Sequence, residues 1–338
     1  MGNTFTSKPS LTIAQSSPEP PLNWCDMPPE IKAECIKKCD IKERLNLRST
    51  AHTERLLVDS QKSEIPLLRA EIGTYQSTIS TGAHILEMSN MLFPNTNNHP
   101  APCLEHLLKT SSNIAIFQLL STPWTSITRQ FADKEFKLNV EIFQHDSCCR
   151  RDLLFYLNAL DSKKIQWIQM NWEDEGDLPT IDEIVKIPSV INCGFWQISN
   201  YDNTDSAVKV AQAWIGMDAR IGLTFQVLSL EYGTLEDFII EFEDRLVFNS
   251  PNLVRIAMDD PKKHIMLELG HHALEAEQIM GGLFFKHLQF LRLLTVSADA
   301  PNSDEEEWIQ TVTWMNYLSP GYEFPDVKRD LPYDVLNF

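Results

Sequence analysis

From residue 136 onward the chain alternates between short β-rich runs and helix-like runs, and this rhythm constrains its fold more than any other feature. The β-rich runs are 138–143, 165–172, 190–198, 223–230 and 253–258, with starts 27, 25, 33 and 30 residues apart. Helix-like runs lie between them at 151–160, 181–187, 206–215 and 235–242. That spacing suits one strand and one helix per turn, as in a degenerate leucine-rich-like solenoid. An ordinary α/β domain with a parallel sheet has the same signature. The repeat lies in the pattern of apolar and polar positions, not in particular residues.

The rest of the 338-residue chain divides around this block, and its length exceeds what one core usually carries. Residues 1–21 hold four prolines and several serines, with few residues able to build a core, and are expected to be a disordered leader. Residues 22–62 form a helical unit and 63–135 a connecting region that mixes strand-like (74–81) and helical (102–108) runs around a loop at 94–102. The alternating domain runs over 136–325, including strand-like runs at 264–269 and 288–296 and an acidic-capped helix at 304–315. Residues 326–338 form a loosely packed tail.

The helical unit carries the clearest local signals. Met27-Pro28-Pro29-Glu30-Ile31 starts a helix, because proline in a first turn removes only N–H groups that lack partners anyway. Ile31, Cys35, Ile36 and Cys39 follow at helical spacing as one apolar stripe. Asp40 caps a second helix, with Glu43 three residues on as in a capping box, and Leu45 and Leu47 supply its apolar contacts. A third helix starts at Ser49 or Thr50 and runs through Leu56, Leu57 and Val58. Three helices in about 40 residues is near the size at which a chain needs disulfides, metals or a partner. Their stripes exceed what they can hide among themselves, so a protein partner packing on the helices is expected.

The run DMPPEIKAECIKKCDIKERLNLRSTAHTERLLVDSQ resembles an F-box, of the type found in the expanded F-box families of Caenorhabditis nematodes. Met27-Pro28 stands at the Leu-Pro position, Glu30-Ile31 at the acidic-aliphatic pair and Ile36 in the aliphatic row of the first helix. Leu45 and Leu47-Arg48 resemble the second-helix leucines. Cys39 and Arg44 depart from leucine, and no tryptophan follows in the third helix. Residues 136–325 are similar to the F-box-associated domains of the same families, through TIDEIVKIPSVINCGFWQIS, SAVKVAQAWIGMDARIGLTFQV and TLEDFIIEF; the subtype stays open. The fold expected is therefore α+β overall, a three-helix F-box followed by an α/β leucine-rich-like solenoid or parallel-sheet domain.

The resemblance implies a substrate-recognition subunit of an SCF-type ubiquitin ligase. Met27, Pro28, Glu30, Ile31, Ile36, Leu45 and Leu47 would seat it on a Skp-type adaptor, and through that on a cullin–RING ligase. The C-terminal domain would hold an unknown target protein. The alternative is an F-box interaction or scaffold protein outside any ligase. Neither reading makes the chain an enzyme, and neither calls for a cofactor.

Charge narrows the partners. The formal net charge is −18, and residues 1–62 are nearly balanced, so the acid excess falls on the remainder. Such a surface repels phosphate backbones and argues against nucleic acid. No apolar run reaches the roughly 18 residues of a membrane span, and residues 1–23 are polar, which points to the cytoplasm or nucleus. Met1-Gly2-Asn3-Thr4-Phe5-Thr6 matches a myristoylation pattern, with Gly2 as a weak membrane tether. The seven cysteines are expected as reduced thiols.

Signs of catalysis are sparse. There is no Gly-x-Ser-x-Gly elbow and no phosphate-binding glycine loop. His264, Glu268, His271 and His272 would converge on a metal if helical, but His264 onward reads as a strand, which breaks that geometry. Cys35 and Cys39 with His52 are better as core residues, and vicinal Cys148 and Cys149 point apart. Trp167, Trp172, Trp196, Trp214, Trp308 and Trp314 are expected mostly in the core, with some strand aromatics such as Trp167 on the opposite sheet surface, open to a partner.

Overall fold

A computed structural model describes residues 23–72, 76–81, 84–89, 100–121, 137–146, 150–171, 179–199, 205–229, 234–271, 275–279, 282–286 and 289–302. Gly2, Cys148, Cys149, Trp172, His272, Trp308, Trp314, the leader, the 304–315 helix and the tail lie outside these residues. The chain forms two units, 1–61 and 62–338.

The first unit has three helices, α1 (Pro29–Lys38), α2 (Ile41–Thr50) and α3 (His52–Ser60). Pro29 opens α1 at its first position, and Lys37 and Lys38 sit in its last turn, where cations suit the carbonyl end of the helix dipole. The capping box at α2 is present. The Glu43 N–H donates to Asp40 Oδ1 at 2.7 Å, and the Asp40 N–H to Glu43 Oε2 at 2.9 Å. The third helix begins later than expected, at His52. Ser49 and Thr50 instead end α2: their hydroxyls donate back to the carbonyls of Asn46 and Leu47, and Ala51 is extended.

The second unit is built on one twelve-stranded sheet, in the order β3-β2-β1-β4-β5-β6-β7-β8-β14-β11-β10-β9. Its strands are β1 (Ser63–Ile72), β2 (Gln76–Thr81), β3 (His84–Ser89), β4 (Ser111–Ser121), β5 (Val140–Asp146), β6 (Trp167–Asn171), β7 (Phe195–Ser199), β8 (Thr224–Ser229), β9 (Leu246–Ser250), β10 (Leu253–Ala257), β11 (Lys263–His271) and β14 (Gln289–Ser297). A separate hairpin pairs β12 (Glu275–Ile279) with β13 (Gly282–Lys286). The architecture is thus α+β overall, three helices followed by a mixed, largely parallel sheet.

Strands β1, β4, β5, β6, β7 and β8 are parallel neighbours. The last five start 29, 27, 28 and 29 residues apart, a tighter rhythm than the β-rich runs show. Their connections carry α4 (Pro100–Thr110), α5 (Arg150–Ala159), the short α6 (Ile181–Ile184) and α7 (Pro188–Ile191), and α8 (Ser206–Gly216). Each crossover steps to the next strand in the same direction. Since crossovers are right-handed, the helices all fall on one face of the sheet.

That face holds the core. Phe117, Phe143, Ile168, Trp196 and Phe225 occupy one register row across β4 to β8, all buried. From α5, Tyr156 meets the rings of Phe117 and Phe143 at centroid distances of 5.7 and 6.1 Å. From α8, Val210, Ala211 and Trp214 are fully buried.

Several expectations need correction. The run 190–198 is not one strand: Pro188 opens the turn α7, and β7 begins only at Phe195. The helix-like run 181–187 is shorter than expected: α6 ends at Ile184, and Ile187 is extended because a residue before proline avoids helical geometry. The fifth β-rich run, 253–258, does not continue the parallel series. After α9 (Thr234–Glu241), a 3-10 turn at Glu243–Arg245 leads into β9, and β9, β10 and β11 pair antiparallel. The stretch 63–135 supplies β1 to β4 of the same sheet, and Pro100, within the expected loop, begins α4. No helix among the described residues is long and apolar enough to cross a membrane.

Candidate functional site

The three-helix unit covers few of its side chains. Among its described residues only Ile36, Glu54 and Val58 are buried. Ile31 on α1 is 51% exposed and Leu56 on α3 is 57% exposed, apolar side chains with little cover. Met27, Leu45 and Leu47 are half-buried, and Pro28 and Glu30 are exposed. Ile36 is fully buried and offers no surface of its own.

Polar ties hold this open arrangement. Arg48 Nε donates to Asp59 Oδ1 at 2.7 Å, joining α2 to α3. Glu54 gathers several donors: the Thr53 hydroxyl at 2.6 Å, Trp24 Nε1 at 3.4 Å and the Lys32 ammonium at 3.5 Å. Hydrogen bonds from Thr53 and from its own backbone, with Trp24 and Lys32 assisting, hold the Glu54 carboxyl below its usual range. The Lys32 ammonium also lies 5.6 Å from the centre of the Trp24 ring.

Residues 24–65 match the family model of the F-box domain. No curated protein and no solved structure matches the chain. The F-box match ends as β1 begins.

Two departures from the leucine pattern of the F-box have local explanations. Arg44 donates from Nε to the Cys39 carbonyl at 3.0 Å and from Nη2 to the Lys37 carbonyl at 2.9 Å. It therefore closes the carbonyl end of α1, satisfying groups that a helix terminus leaves open. The Cys39 thiol donates to the Cys35 carbonyl at 3.4 Å, and burial raises its pKa, so it stays a thiol.

Elsewhere, His264 and Glu268 do share one face of β11, but each is engaged. Arg255 Nε approaches His264 Nδ1 at 2.9 Å, and Arg292 Nε donates to Glu268 Oε2 at 2.5 Å. Among the described residues no group of three or more His, Cys, Asp or Glu is placed to hold a metal. Trp167 lies on the sheet face opposite Ile168 and the helix-side core row, as alternation predicts. It is buried rather than open, stacked on Phe195 at 3.6 Å. Trp196 and Trp214 are core residues.

On that face, opposite α5 and α8, stands a row that the strand–helix rhythm does not announce. Gln118, Gln144, Gln169, Gln197 and Gln226 stand in register on β4 to β8, and the row continues through Arg292 and Glu268. Gln118 Nε2 donates to Gln144 Oε1 at 2.5 Å, and Gln144 Nε2 to Gln169 Oε1 at 3.0 Å. The ladder then breaks: Gln197 turns to Ser199 Oγ at 3.4 Å, and both amide atoms of the buried Gln226 have no partner. A signal existed in the sequence. Each glutamine follows a large apolar residue and precedes another residue buried on the helix face: Phe117, Phe143, Ile168, Trp196 and Phe225 before, Leu119, His145, Met170, Ile198 and Val227 after. The repeat is therefore one of residues as well as of pattern.

Proposed function

We propose that the chain is the substrate-recognition subunit of an SCF-type ubiquitin ligase, docking on a Skp-type adaptor through the three helices of the first unit and holding a target protein with the C-terminal domain, residues 136–325. One observation carries this reading: the segment matching the F-box folds into three helices that bury three residues and leave Ile31 and Leu56 half in solvent. A greasy unit of this size is completed by another polypeptide. Met27, Pro28, Glu30, Ile31, Leu45 and Leu47 form the proposed contact set, from which the buried Ile36 is withdrawn. Residues 136–325 serve as the F-box-associated domain. The chain breaks no bonds itself; it raises the local concentration of target lysines near a ubiquitin-charged partner.

The test is capture of a purified Skp-type adaptor by the full chain. Replacing Ile31 with Asp puts a charge into the apolar patch and is expected to weaken capture at least about tenfold, with the melting curve unchanged because the site is exposed. Undiminished capture by Ile31→Asp, or none by the parent chain, would defeat the reading and leave an F-box protein outside the ligase.

A further inference from the structure

Strand β9 closes one end of the sheet, and its sequence is Leu-Val-Phe-Asn-Ser. On one side it pairs with β10; on the other, the outward N–H and C=O groups have no ladder partner among the described residues. Exposed edges are normally blunted by lysine, proline or an inward charge, because they template pairing with another chain. This strand has none of those residues. Leu246 is 37% exposed, Val247 51% and Phe248 38%. A bulge against β10 places Leu246 opposite Ile256 and Phe248 opposite Arg255, adjacent residues of β10. Leu246 and Phe248 therefore lie on opposite faces of the sheet, so a strand laid along this edge meets an apolar neighbour on each side.

Charge defines the rest of the site. Glu241, Glu243 and Asp244 lie exposed just before β9. Two nearby cations are already engaged, Arg245 with Asp259 at 2.7 Å and Lys263 with Asp218 at 2.8 Å. We infer that β9 accepts an extended segment of a partner protein as an added antiparallel strand, with alternating apolar residues followed by basic residues at its carboxyl end. Antiparallel addition continues the β10–β9 pairing and brings the incoming carboxyl end beside the three acids. A second copy of this chain fits poorly, since it brings the same acids and a net charge of −18. The inference deepens the receptor reading by naming the class of target segment and to that extent rests on it, while the strand-edge geometry belongs to the larger unit.

The experiment measures fluorescence anisotropy of full chain with labelled peptides of the pattern Val-Thr-Val-Thr-Val-Lys-Lys, with isoleucine or phenylalanine at the apolar positions. Binding is expected for members of this set. It should fall at least tenfold when the lysines move to the amino end or the central apolar residue becomes proline. The double variant Val247→Asp with Phe248→Asp should lose binding tenfold or more while keeping its circular dichroism melt, and raising salt from about 50 to about 500 mM should weaken binding several-fold. Absence of binding across the set, equal binding by the proline or reversed peptides, or equal binding by the double variant overturns the inference. So does a dimer in sedimentation that the double variant abolishes, because a second copy then occupies the edge. Adaptor capture by the same preparation reports separately on the receptor reading.

Discussion

The two units solve the problem of stability in opposite ways. Among its described residues the first unit buries two apolar side chains, Ile36 and Val58, and it relies on caps and ion pairs between short helices. The second buries whole register rows: Phe117 to Phe225 on the helix face, and Ile116, Ile142, Trp167 and Phe195 on the other. Burial of a large apolar side chain contributes roughly 1.5–3 kcal/mol, so the difference is one of many side chains, not of degree at one site. A unit that leaves its apolar stripe half-covered gains most from a partner. One that has covered its rows gives up little when a partner leaves.

Hydrogen exchange on the full chain offers the largest contrast. Amides of α1 to α3 are expected to exchange roughly a thousandfold faster than those of β4 to β7, and adaptor should protect α1 and α2 alone. Equal protection in the absence of adaptor would break the comparison. Within the larger unit the next effect belongs to Arg255, which is buried and donates to His264, Ser297, Ala298 and Ala300. Replacing it with methionine strands those acceptors and should cost roughly 2–4 kcal/mol of that unit's denaturant stability. A loss under about 0.5 kcal/mol would show that water replaces the guanidinium at no expense.

Acid sharpens the contrast further. Burial drives the His145 pKa down from 6.5 to about 3, and neither ring nitrogen has a partner. Between those values the unfolded chain binds a proton that the folded chain refuses. Stability of the larger unit should therefore fall as pH drops below 6.5, by up to about 1.4 kcal/mol per pH unit, and His145→Phe should flatten that slope. Glu54 acts in the first unit with its pKa lowered, so its stabilising contribution is present above 4.5 and is lost only as pH falls below that. A first unit that loses more stability than the second between pH 6 and 5, or a slope in the second that His145→Phe leaves unchanged, would contradict these assignments.

The smallest effects lie along the glutamine row. Gln144→Met removes two ladder bonds and should cost roughly 1–2 kcal/mol. Gln226→Met removes a buried amide without partners, and is expected to be neutral or stabilising by about 1 kcal/mol. Thermal melts of the two variants, shifted in opposite directions, would establish where the ladder ends.

Much of this was legible in the chain itself. Pro29 and the Asp40–Glu43 box fixed where two helices begin, since a missing N–H and a side-chain cap act within a few residues. The strand–helix rhythm gave the parallel series for the same reason: period and turn chemistry are local. What the rhythm could not give was partner choice. Every strand offers the same backbone donors and acceptors, so nothing in 253–258 declares that it pairs antiparallel, or that β14 inserts between β8 and β11. The third helix was misplaced because Ser49 and Thr50 look like starts, yet their hydroxyls bonded backward. In the first unit the pattern of residue types was legible, but which aliphatic faces out was not: Ile31 and Ile36, read as one stripe, lie about 140° apart around α1 and have opposite fates.

The amino-acid order alone thus determined the helix starts, the alternation and the imbalance of charge, because each depends on neighbours a few residues away. Only the tertiary structure decided that glutamines some 25 to 29 residues apart would form one row. It alone also decided that Leu246, Val247 and Phe248 would form the edge strand among the described residues, because register and edge are properties of strands brought together from distant parts of the chain.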